Sequence, residues 1–161
     1  MHQRSSAKAR LRSLVEVFDS FHRALEPEAD PLAQKLCANW ASVRGNYGEA
    51  SSVGTPSQLS AGLEQGLRKL PAFFYSMGVT AKHVAVTALA GALREHFPSF
   101  LAEQEERLAK VMARGKIRGE REFYLVRSAI DQAEGQAHQT AQLATLYALV
   151  ERFESRARRV A

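Results

Sequence analysis

The sequence predicts an all-α fold, a single-domain antiparallel bundle of six or seven helices spanning residues 1–161. Three observations predict it. Leucines and other apolar residues recur every three or four positions along most of the chain, the period of a helix with one buried face. Helix start and stop chemistry punctuates those stretches. No segment sustains the apolar–polar alternation with β-branched enrichment that marks a strand.

The first helix is expected from Ala7 to Leu25, with residues 1–7 frayed. Leu11, Leu14, Val15, Phe18 and Leu25 recur at helical spacing, while Glu16, Asp19 and Arg23 form another stripe. Pro27 and the acids Glu28 and Asp30 end it. Asp30-Pro31 then starts a second helix, with an acceptor side chain at the N-cap and proline at the first helical position. Its apolar face carries Leu32, Leu36, Trp40 and Val43, and Gly45 is the expected stop. Residues 45–54, rich in Gly, Ser, Asn and Ala, read as a mobile loop.

Thr55-Pro56-Ser57-Gln58 is a capping box: the threonine accepts from the backbone and the glutamine reaches back. Leu59, Leu63, Leu67 and Leu70 follow at helical intervals. Pro71 is expected to open a separate aromatic turn, Phe73-Phe74-Tyr75, closed by Gly78, with Thr80 capping the next helix. That helix, Ala81 to Phe97, is apolar on most sides and is placed at the centre of the bundle. After Pro98 a further helix runs through Leu101, Leu108, Val111 and Met112 to Arg114, where Gly115 ends it. Residues 115–122 read as a tight connection, Gly119 capping a helix that carries Phe123, Val126, Ile130 and Ala133 inward. A final helix from Ala137 to Arg158 uses Leu143, Leu146, Val150 and Phe153.

A chain of 161 residues fits one domain, and its 45% hydrophobic and 24% charged content is ordinary globular usage. No secretory signal is visible, and the uncharged run His83–Leu93 is too short to cross a bilayer, so a soluble protein without a membrane partner is expected. The lone cysteine, Cys37, excludes an internal disulfide and reads as a buried, inert thiol in a reducing, cytoplasmic setting.

The net charge of +5 is unevenly spread. Residues 13–106 carry seven basic and eleven acidic residues, so the basic excess falls in three short stretches. The most informative holds Arg107, Lys110, Arg114, Lys116, Arg118 and Arg121 against Glu120 alone. Spacings of three and four align these cations in a stripe, or gather them on a corner if the chain bends at its glycines. Either arrangement suits carboxylates on a protein partner or phosphates. An acidic protein surface is favoured over nucleic acid, because Phe123 and Tyr124 are the only nearby rings for stacking bases. The bland alternative is a solvated surface paired with Glu103, Glu105, Glu106 and Glu120. Arg152, Arg156, Arg158 and Arg159 lie where a helix C-terminus favours positive charge, which accounts for them without a function. The arginine-rich start reads as a frayed helix end.

Other candidates carry less. Trp40, Phe73, Phe74 and Tyr75 are a candidate apolar groove for a partner helix or small ligand, although such residues are most often core. Residues 73–87 resemble a helix-turn-helix only at the turn, because the helix after Gly78 offers just Lys82, His83 and Thr87 to base edges. Asp131, Glu134 and His138 share a helical face and, with Asp19 and His22, are the metal-ligand candidates. No Glu-x-x-His occurs to support them. Signatures of a nucleophile elbow, a phosphate-cradling loop or a dinucleotide site are absent from the sequence. No cofactor is expected, and an enzyme finds little support.

Overall fold

The computed structural model describes residues 6–48, 53–134 and 140–160. Residues 1–5, 49–52, 135–139 and 161 fall outside it. With them go most of the N-terminal stretch expected to fray, the middle of the 45–54 loop, Gly135, His138 and the predicted start of the last helix. Seven α-helices, and no strand, occur among the described residues. They group into two compact units, residues 1–98 and 99–161.

The first unit holds α1 (Ala7–Leu25), α2 (Pro31–Val43), α3 (Pro56–Tyr75) and α4 (Val79–His96). Its hub is α1, which packs on α2, α3 and, most extensively, α4. The expectation that the alanine-rich helix would be central is thereby corrected. Alanines leave α4 thin and able to approach closely, while the large side chains that fill the interior, Leu14, Phe21 and Leu25, come from α1. Ser6 caps α1, its hydroxyl accepting from the Ala9 amide at 3.2 Å. Asp30 caps α2 as predicted, accepting from Leu32 and Ala33, and its second oxygen takes the Gly78 amide at 2.9 Å. One side chain thus ties the start of α2 to the start of α4. Those amides, Gly78 first, hold the Asp30 carboxyl below the usual carboxylate range.

Three predicted boundaries move. Gly45 does not stop α2 in a left-handed turn. The chain tightens into a 3-10 turn, Arg44–Tyr47, which lets Tyr47 stack on Trp40. Pro71 does not open a new element but sits inside α3. The backbone bond lost there is offset by burying Leu70 and Phe74, the latter against Phe21 with ring centroids 5.7 Å apart. Gly78, not Thr80, is the N-cap of α4, so Thr80 is already helical. The Thr55–Gln58 capping box forms in both directions.

The second unit holds α5 (Pro98–Arg114), α6 (Glu120–Glu134) and α7 (Thr140–Val160). Val111, Ile117, Phe123, Val126, Ile130, Leu146, Leu149 and Val150 form its core. Gly115 ends α5 with φ +75°, a left-handed backbone open to glycine at no steric cost. Gly119 accepts the first amide bond of α6, and Ile117 between the two glycines is fully buried. The short turn is thereby pinned at its middle.

Candidate functional site: a basic cleft in the second unit

The predicted basic residues do not stand together as one free patch. Arg107 and Lys110 are exposed on α5 and pair one turn back with Glu103 at 2.7 Å and Glu106 at 3.6 Å. Arg114 is held by both oxygens of Glu122, and its Nε donates to the Lys116 carbonyl at 3.1 Å. Glu122 also accepts the Arg118 amide at 2.9 Å. Arg114 is therefore a clamp that shapes the turn. Arg118 and Arg121 are exposed, and neither makes an ion pair among the described residues.

The turn and α7 together form an open cleft of about 770 Å³. Its cations are Lys116 from the turn and Arg152, Arg156 and Arg159 from α7, with Glu151 the lining carboxylate. Ala148, Phe153 and Ser155 contribute the remaining α7 wall. Arg156 donates to the Ile117 carbonyl at 2.6 Å and lies 6.0 Å over the Phe153 ring, which stacks on Phe123. Arg152 reaches the Gly115 carbonyl at 3.4 Å. Each guanidinium carries five N–H donors, so one bond to the turn fixes the head and leaves others for a ligand. None of the four cleft cations makes an ion pair with a carboxylate among the described residues.

Of the predicted cations, only Lys116 reaches this cleft. The three cleft arginines of α7 carry, in the sequence, the signature of complements to the helix dipole. Their spacing at i, i+4 and i+7 was the signal that they share one face.

The other candidates disperse. Trp40 is buried, stacked on His22 with centroids 5.6 Å apart, and donates to Asp19 at 2.9 Å. Phe74 is core, while Phe73 and Tyr75 are exposed, so the four rings do not share one face. Lys82 lies over Tyr75 at 5.7 Å. Asp19 is occupied by a two-point bond from Arg44 at 2.7 and 2.8 Å, which, with Trp40, holds its carboxyl below the ordinary range. His22 points Nδ1 at the Phe18 carbonyl, 2.6 Å away, and burial lowers its pKa. Asp131 faces Arg127 and Glu134 accepts from Tyr147. No cluster of three or more His, Cys, Asp or Glu side chains suited to a metal occurs among the described residues. Cys37 is half-buried rather than buried. Its Sγ donates to the His22 carbonyl at 3.4 Å, and desolvation raises its pKa, which disfavours the reactive thiolate.

No described helix is long and apolar enough to cross a membrane. Fold and site together define an all-α chain with an arginine-lined cleft. No protein-family model matches the sequence, and no curated protein or solved structure is significantly similar to it.

Proposed function

We propose that the chain is a non-enzymatic helical adaptor or regulatory protein of the cytoplasm, and that its basic cleft binds an acidic surface of a partner protein. The observation that carries this reading is the convergence of Lys116, Arg152, Arg156 and Arg159 on one cleft whose lining carboxylate is Glu151 alone. Such a field attracts carboxylates and speeds their encounter. Two features favour protein over nucleic acid. Phe153 is stacked on Phe123 and covered by Arg156, so the cleft presents no bare ring to a base. Glu151 would oppose a continuous phosphate chain but pairs readily with a base on a protein.

The test is a fluorescence-anisotropy titration of labelled polyglutamate and of a labelled oligonucleotide, at low ionic strength and at about 0.3 M salt. Polyglutamate is expected to bind, to weaken with salt, and to lose about tenfold in affinity when Lys116→Glu and Arg159→Glu are combined. Neither residue has an ion pair to break among the described residues, so the variant is expected to keep its circular dichroism. Preference for the oligonucleotide would transfer the cleft to nucleic acid, and indifference to the double variant would remove it from function.

A further inference from the structure

The cleft is an ordered array rather than a diffuse positive surface, and its order narrows the kind of partner. Arg152, Arg156 and Arg159 rise about 10.5 Å along α7 and fall within about 60° of arc, the consequence of 3.6 residues per turn. Ala148 and Ser155 line the cleft just outside that arc, on one side of it. These small side chains leave a shallow track beside the arginines where another backbone can approach. Across the track stands the turn, with Gly115 contributing no side chain and Lys116 contributing a charge. Arg152 and Arg156 are already oriented by the carbonyls of Gly115 and Ile117, so less rotamer freedom is lost on binding.

We infer that this cleft receives an acidic α-helix of the partner, lying along α7, whose carboxylates recur at i, i+3 or i+4, and i+7. A second helix repeats its side chains with the same rise as the arginine ladder, so successive carboxylates meet successive guanidinium groups without distortion of either backbone. An extended acidic strand, advancing about 3.3 Å per residue with alternating faces, brings carboxylates to one side at roughly 6.6 Å and falls out of step with the 6 and 4.5 Å intervals of the ladder. The inference rests on the acidic-partner reading and adds to it the conformation and register of the ligand.

Two labelled, capped peptides of identical composition and equal helicity separate the two ideas. One places its glutamates on a single helical face, the other spreads them evenly around the helix. Titrated with the full chain, the one-faced peptide is expected to bind about fivefold tighter, the worth of one or two half-exposed ion pairs. Lys116→Glu with Arg159→Glu is expected to abolish that preference. Arg156→Lys keeps the charge but loses the fork, and is expected to narrow it. Equal affinity for both peptides, lost on charge reversal, overturns the helix inference and leaves the acidic-partner reading standing. Binding of neither peptide overturns both.

Discussion

Arg114 is the residue at which charge and role separate most clearly. Its guanidinium is spent on Glu122 and on the Lys116 carbonyl, so reversing its charge would unfold the turn as well as remove a cation. Gly115 beside it has the left-handed backbone, and although a Cβ there would meet no neighbour, an L side chain resists that φ. Gly115→Ala is expected to cost about 1–2 kcal/mol in urea unfolding, from backbone strain alone. His22 sets a pH dependence. Burial lowers its folded pKa below the 6.5 of an exposed histidine, so the neutral form is favoured in the fold. Stability from this group is therefore present above about pH 6.5 and lost as pH falls from there through the lowered folded pKa. The urea midpoint of the native chain is expected to drop on going from pH 7.5 to 5.5, and His22→Phe is expected to reduce that drop. An unchanged drop in the variant would assign it to other histidines. Asp19 acts in a lower window: its depressed carboxyl contributes stability that fails only as pH falls below the usual carboxylate range.

At the scale of elements, α3 shows how packing overrides a local breaker. Pro71 lacks an amide to reach the Leu67 carbonyl, yet the helix continues to Tyr75 because Leu70 and Phe74 are buried on either side of it. Pro71→Ala restores that amide and is expected to raise stability by about 1–2 kcal/mol in urea unfolding, after allowing for greater freedom of the unfolded chain. A destabilised variant would mean that the proline ring itself fills space that alanine leaves empty. The last helix shows the opposite relation, with local sequence predicting the helix but not its use. The same arginines that complement its C-terminal dipole also lie against the Gly115–Ile117 turn.

For the whole molecule, the two compact units, residues 1–98 and 99–161, set the question of cooperativity. Trp40 is the sole tryptophan and lies in the first unit, whereas circular dichroism reports the helices of both units. The single-domain reading expects fluorescence and dichroism to trace one coincident urea transition; separated midpoints would show the units unfolding independently. The chain's net charge of +5 is likewise a poor guide until it is located. In the second unit, Arg107 and Lys110 on α5 pair with carboxylates one turn away, whereas the cleft cations form no ion pair among the described residues.

Sequence alone determined the all-helical class, the Ala7–Leu25 helix to the residue, the Asp30 and Thr55 caps, and Gly115 as the end of α5. Each of these is written within four or five neighbouring residues, because helical period and capping are local physics. Tertiary structure decided which cations are paired, that α1 is the hub of its unit, and that Lys116 meets Arg152, Arg156 and Arg159. The hub and the cleft depend on side chains more than thirty residues apart arriving at one place, and periodicity along a single helix holds no information about what will face it across a turn.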